Sequence, residues 1–252
     1  MEVNIFLFIV VGFVAQMIDG SLGMAYGVSS SSFLIWLGVS PAVASASIHI
    51  AEIFTTLVSG ISHWKLGNVD WDLVKKLAIP GILGGILGAY IISNVDSTLL
   101  KPIVSSYLLL MGLRIIFKAF RKKPNTEQPE KHFPLWIMTG LGLTGGFCDA
   151  AGGGGWGPIV TTTLISNGVT PRKTIGSVNL TEFFVTFAEA ATFIATLSVI
   201  EWKPVLGLII GGILAAPFGA LLTKKIPVKP MMFAVGVLIC YLSLTTVIAA
   251  FK

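Results

Sequence analysis

The sequence predicts an all-α polytopic membrane protein built from two homologous halves. Three observations carry that prediction: an extremely apolar composition, apolar runs of spanning length, and a duplication with a shift of 130 residues. Of 252 residues, 54% are hydrophobic and only 12% charged, and the mean hydropathy is +0.86. That balance requires lipid as solvent. A spanning helix needs about 20 mostly apolar residues, so the chain holds seven or eight with short connections and leaves no length for a soluble catalytic domain.

Apolar runs cover Val3–Ile18, Val28–Leu37, Ala42–Ser62, Lys76–Ser93, Leu99–Ala119, Phe133–Phe147, Ile159–Ile165, Thr174–Leu197, Pro204–Thr223 and Pro230–Phe251. The first lacks a basic leader segment and a small-residue cleavage site, and reads as a structural element of the mature chain. Four runs are too short to span, and they fall in two pairs. Glycine clusters interrupt each pair, Asp19-Gly-Ser-Leu-Gly-Met-Ala-Tyr-Gly27 and Asp149-Ala-Ala-Gly-Gly-Gly-Gly-Trp-Gly157, and glycines this dense break a helix.

The shift of 130 places Asp19 on Asp149, Gly27 on Gly157, Gly38-Val-Ser-Pro41 on Gly168-Val-Thr-Pro171, Ser47 on Ser177 and Glu52 on Glu182. Near the end of each copy the shift becomes 128, with Lys101-Pro102 falling on Lys229-Pro230. The chain therefore divides into a first membrane repeat, 1–120, a polar linker, 121–132, and a second membrane repeat, 133–252. Pro124 and Pro129 mark the linker.

Loop charges orient the halves. If each broken pair crosses as one span, eight spans result and six of the 17 basic residues lie outside. If each pair dips in and returns, each half has three full spans plus a re-entrant hairpin. Only Lys101, Lys203 and Lys252 then face out, and the linker is cytoplasmic. The second arrangement obeys the positive-inside rule better. Its odd count per half predicts inverted repeats, a recurrent transporter plan.

Several functions are excluded. The net charge of +5 resides in loops, where a membrane protein carries it, so nucleic acid is not a partner. Cys148 and Cys240 form neither a disulfide framework nor a metal motif. No HExxH, GxSxG or P-loop occurs, and Gly152–Gly157 lacks the following lysine of a phosphate loop. We expect no enzyme activity, no metal and no cofactor.

Two features could carry chemistry. Unwound glycines beside helix N-termini present free N–H groups that favour an anion. Gly20, Gly23, Gly27, Gly152, Gly153, Gly154, Gly155 and Gly157 are therefore substrate-binding candidates, with Ser21, Tyr26 and Trp156 as added donors. Tight packing is the alternative reading, and it is preferred for Gly81-xxx-Gly85, Gly84-xxx-Gly88, Gly207-xxx-Gly211 and Ala215-xxx-Gly219, which lie in uninterrupted runs.

The second feature is a polar stripe. Ser45, His49, Glu52, Thr56, Ser59 and His63 share one helix face, and Asn179, Glu182, Thr186 and Glu189 repeat it. Carboxylates inside a membrane helix mark a pathway or relay by default. Glu52 and Glu182 are thus candidates for proton coupling, or else structural acceptors. Asp19 and Asp149 stand where an Asp caps the next helix. His63 is expected at the interface beside Trp64, and His132 in the linker.

The duplicated order of glycine break, GVxP turn and polar helix resembles the sulfite exporter TauE/SafE family of membrane permeases. The likeness rests on Asp19–Gly27, Gly38–Pro41 and Ser47/His49/Glu52, together with Gly152–Gly157, Gly168–Pro171 and Ser177/Asn179/Glu182. It adds Ser47, His49, Ser177 and Asn179 to the substrate-binding candidates. It implies export of sulfite or a small organosulfonate across the cytoplasmic membrane, with protons as the candidate coupling ion. An uncoupled anion channel is the alternative, and a non-transporting scaffold a weaker one. Oligomeric state is open.

Overall fold

A computed structural model describes residues 4–120, 133–222 and 228–250. The proposed linker and the side chains of Lys224, Lys225 and Lys252 lie outside the described residues. Among the described residues the chain is helical, in the order α1 (Ile5–Leu22), α2 (Tyr26–Trp36), α3 (Pro41–Lys65), α4 (Trp71–Ser93), α5 (Ser97–Phe120), α6 (Leu135–Gly152), a π-helical turn (Gly157–Thr161) running into α7 (Thr162–Ser166), α8 (Pro171–Thr196), α9 (Trp202–Leu222) and α10 (Val228–Ala250). Seven of these helices are long and apolar enough to cross a membrane. The chain is a multi-pass membrane protein.

Local signals recur in both halves. α1 and α6 stop at Gly23 and Gly153, which hold φ 67° and φ 65°, a left-handed conformation open to glycine at little cost. The GVxP turns work alike. Gly38 and Gly168 take φ 97° and 95°, and Val39 and Val169 donate backbone hydrogen bonds to Leu34 O and Leu164 O at 3.1 Å. Pro41 and Pro171 then open the next helix, where a missing N–H is harmless.

Each broken pair folds back on itself. Phe8, early in α1, stacks edge-on against Phe33, late in α2, with ring centroids 6.3 Å apart. In the second half, Val160 and Trp156 pack on Gly145. Had α2 continued onward, about 1.5 Å per residue would place Phe33 far from Phe8. A cross-half contact agrees: Arg172, opening α8, hydrogen-bonds Asn68 Oδ1 and Leu66 O, and Lys173 reaches Val69 O at 3.1 Å. Eight full spans would put these two loops on opposite sides of the membrane.

The halves interlock through glycine. α1 lies parallel to α9, and α4 lies parallel to α6. A Cβ on Gly211 would sit 2.0 Å from Ile9 O, one on Gly84 2.1 Å from Leu143 O, and one on Gly146 2.2 Å from Gly81 O, so the backbones approach as only small residues allow. Helices equivalent by the duplication meet antiparallel. Ser59 and Gly60 of α3 face Asn179 and Leu180 of α8, and Gly112 of α5 faces Cys240 of α10.

Candidate functional site

The two breaks meet tip to tip. A Cβ on Gly27 would fall 2.7 Å from Gly154 Cα, and one on Gly157 would fall 2.4 Å from Met24 Cα. No space separates them. The glycines expected to cradle an anion here cradle each other's backbone.

The protein's own carboxylates occupy the amides of the breaks. Asp149 Oδ1 accepts from the N–H of Gly155 at 2.6 Å and of Trp156 at 2.9 Å. Asp19 accepts from the Tyr26 N–H in the same way. Each Asp lies in the last turns of α1 or α6 and reaches across its break to N–H groups at the start of the next segment, whose own N-cap residues, Ala25 and Trp156, supply no side-chain cap. Break carbonyls are also satisfied: Ser31 donates to Gly152 O, Ser45 to Ala150 O and Tyr107 to Gly154 O, at 3.1, 2.6 and 3.2 Å. This is the accounting a buried irregular backbone in a membrane demands.

The expected side-chain donors are engaged with the protein itself in this conformation as well. Ser21 Oγ donates to Met17 O, the Tyr26 hydroxyl to Leu208 O, and the Trp156 indole N–H to Val178 O. Ser47 Oγ donates to Val43 O, while Ser177 Oγ accepts from the Asp70 N–H at 2.7 Å. His63 also departs from expectation. It is fully buried, with Nε2 donating to Gly20 O at 2.9 Å and Nδ1 accepting from Asn68 at 3.1 Å. It ties the end of α3 to the first break instead of sitting at the interface.

What remains is an acidic cluster at the centre. Asp19, Glu52, Asp149, Glu182 and Glu189 are all buried, together with His49. The His49 Nε2 lies 2.9 Å from Glu189 Oε2, 3.6 Å from Asp149 Oδ2 and 3.8 Å from Glu52 Oε2. Its Nδ1 is 2.7 Å from Ser45 O; a carbonyl only accepts, so Nδ1 carries a proton. Nε2 is then the ring nitrogen that faces the carboxylates. Among the described residues no Lys or Arg pairs with these carboxylates. Asp19 Oδ2, Glu52 Oε2, Asp149 Oδ2, both Glu189 oxygens and His49 Nε2 make no hydrogen bond, so His49 and Glu189 stand in close approach without a formed hydrogen bond. Like charges this close in a low dielectric repel strongly. His49, Asp149 and Glu189 also bring three ligand-type atoms within 4.8 Å of one another, a spacing that could hold a metal.

The duplication sharpens the picture. In the equivalent place Asn179 Nδ2 donates to Ile175 O at 3.1 Å, and its Oδ1 accepts from Ser59 Oγ at 2.7 Å. His49 and Glu189 thus stand where the other copy has Asn179 and Ser59. One site is ionisable, the other a neutral hydrogen bond. Glu189 was visible in the polar stripe, yet spacing alone does not reveal its partner in the other half.

A helical bundle with buried carboxylates at the crossing of two broken helices is the architecture of a membrane transporter. Comparison with known proteins agrees. The model of the family described as "Sulfite exporter TauE/SafE" matches residues 8–246, and the chain belongs to that family. It is 44% identical over 251 residues to the probable membrane transporter protein YtnM of Bacillus subtilis (strain 168), covering 97% of this chain and 83% of that one. It is 22% identical to the probable membrane transporter protein YjnA of the same organism, covering 92% and 95%. A probable membrane transporter protein of Haemophilus influenzae is also 22% identical, with 90% and 92% covered. No solved structure matches. The relatives are named as probable membrane transporters, and the family and these names mark the chain as a membrane transporter, not an enzyme.

Proposed function

We propose that this chain is a proton-coupled secondary transporter that exports a small oxyanion, sulfite or an organosulfonate, through a pair of inverted repeats. The observation that carries the reading is the His49–Glu189 contact at 2.9 Å within a buried set of carboxylates. Five carboxyls and one imidazole have no stable filling except through bound protons, and an intramembrane proton site is the usual coupling device of such carriers. The antiparallel packing of α3 on α8 and of α5 on α10 supports inversion, because equivalent helices meeting antiparallel are related by an axis across the helices. The family description supports the oxyanion. The closed contact between the breaks favours a carrier over an open channel, since a carrier must hold one face shut.

The test is radiolabelled sulfite flux in proteoliposomes with and without an imposed pH gradient. Glu189→Gln and Glu52→Gln should lose gradient-driven flux while keeping exchange at equal pH, because exchange needs binding and reorientation but no net proton movement. Unchanged gradient-driven flux in both variants removes the carboxylates from coupling. Downhill flux in the wild type that ignores the gradient points to the channel instead.

A further inference from the structure

Away from the acidic centre, a cavity of about 380 Å³ opens between the last two turns of α5 and the end of the second hairpin. Its lining joins the cations Arg114 and Lys118 and the hydroxyls of Thr162, Thr163 and Ser166 to the Asn167 amide and the Phe117 ring. The Lys118 ammonium donates to Thr162 Oγ1 at 3.2 Å and comes within 3.9 Å of Met24 Sδ. Met24 belongs to the first glycine break and lies against Gly157 of the second. Lys118 therefore links the cavity at the end of α5 to Met24 beside the place where the breaks meet. Among the described residues no carboxylate comes within ion-pair distance of Arg114 or Lys118. Two neighbouring cations in a membrane helix, one half-buried and neither neutralised, call for an anion. Guanidinium and ammonium groups beside hydroxyls are the donors that recognise an oxyanion.

The duplication supplies a second, independent argument. At the shift of 128, fixed where Gly112 faces Cys240, Arg114 corresponds to Leu242 and Lys118 to Thr246. At the shift of 130, Thr163 and Ser166 correspond to Phe33 and Trp36. The equivalent mouth in the other half is uncharged, and there Ser32 Oγ meets Ser243 Oγ at 3.3 Å. The positive-inside rule alone accounts for cations at the cytoplasmic mouth; it does not account for the hydroxyls Thr163 and Ser166 facing them where the other mouth has Phe33 and Trp36. The charged mouth lies on the side from which the basic segment Arg121-Lys122-Lys123 leaves α5, the cytoplasmic side by the positive-inside rule.

We propose that Arg114, Lys118, Thr162 and Thr163 form a loading site for a small oxyanion at the cytoplasmic mouth, absent from the opposite mouth, so that capture is favoured from the cytoplasm. This rests on the reading of the chain as an oxyanion carrier and assigns that reading a place and a direction. The anion enters against the two cations, displaces Thr162 from Lys118, and lies next to the break junction that must part for it to pass.

The experiment uses the full chain in inside-out and right-side-out membrane vesicles, with sulfite as the probe and initial rates fitted to KM on each side. Arg114→Gln and Lys118→Gln should raise KM about tenfold in inside-out vesicles, the loss of roughly one charge-assisted hydrogen bond. KM in right-side-out vesicles should stay within about twofold. Lys118→Arg should retain most of the affinity. Arg114 is exposed, so its variant reports even where Lys118→Gln fails to accumulate. An equal rise on both sides, or no rise on either, overturns the loading site while leaving the carrier reading intact. Absence of wild-type flux with sulfite, sulfate and a short organosulfonate overturns the carrier reading, and the loading site with it.

Discussion

The equivalence of His49–Glu189 and Asn179–Ser59 makes a stringent experiment possible, because the protein contains a template for its own repair. His49→Asn alone removes the imidazole that Glu189 faces at 2.9 Å and leaves both Glu189 oxygens, already without other partners, in a fully buried place. Removing one member of a buried pair costs about 3–5 kcal/mol. At about 2–4 °C per kcal/mol for a chain of this size, the midpoint should fall by roughly 6–20 °C. Glu189→Ser alone strands the imidazole and should cost a comparable amount. The double variant recreates the arrangement in which Asn179 bonds Ser59 at 2.7 Å and Ile175 O at 3.1 Å, with Ser45 O in the place of Ile175 O. It should recover to within about 5 °C of the wild type, a coupling of at least about 2 kcal/mol. The assay is thermal unfolding in detergent micelles for all four members of the cycle, followed by sulfite flux in proteoliposomes. The double variant should fold well and ignore the pH gradient. Additive losses across the cycle would refute the pairing. A stable double variant with full gradient-driven flux would refute the assignment of coupling to this pair.

Further predictions concern packing and a helix cap. Gly84→Ala should destabilise by about 1–3 kcal/mol, because its Cβ would meet Leu143 O at 2.1 Å, whereas Gly140→Ala, with nothing within 4 Å, should be neutral or gain up to about 1 kcal/mol of helix propensity; melting in micelles separates them, and equal losses would contradict the packing. Asp96 caps α5 by accepting from the Thr98 N–H and hydroxyl at 2.8 and 2.7 Å, which holds its carboxyl below the usual range. Its contribution is therefore present above the unfolded pKa and lost as pH falls through the folded one. Asp96→Ala should melt lower than wild type at pH 7, the difference shrinking toward acid pH; a gap that persists below pH 3 would contradict the ionised cap.

The breaks, the GVxP turns and the duplicated plan were legible in the sequence because each rests on local chemistry. Glycine opens the left-handed region at Gly38 and Gly168, proline opens the following helix, and a shift of 130 aligns the copies. The partners were not legible. Glu189 lies 140 residues from His49, and only the antiparallel crossing of α3 and α8 brings them together. Asn179 looked like a substrate ligand, yet both ends of its amide are spent on Ser59 and Ile175. His63 was misplaced because Trp64 beside it suggested the interface. Its spacing of four from Ser59 was the better guide, since the stripe faces inward along its whole length. Arg114 and Lys118 read as ordinary loop-side charges until the second hairpin, arriving from the other half, gave them hydroxyls.

The residues that match between the halves and those that differ divide by role. Asp19 and Asp149, Glu52 and Glu182, Gly23 and Gly153, and Gly38 and Gly168 repeat, and they build the hairpins and their meeting point. His49 against Asn179, Glu189 against Ser59, Lys118 against Thr246 and Arg114 against Leu242 do not repeat, and all four carry charge on one side only. In a carrier of inverted halves, exchanging the two halves' conformations converts the inward-facing state into the outward-facing one. With identical halves the two states have the same free energy and the same affinity for substrate, because each is the other turned over. Preference for one side can arise only from positions where the copies differ. In this protein the differing positions that carry charge include His49 and Glu189 at the centre and Arg114 and Lys118 near the end of α5, so on the proposed carrier reading these unrepeated charges are the place to look for the direction of transport.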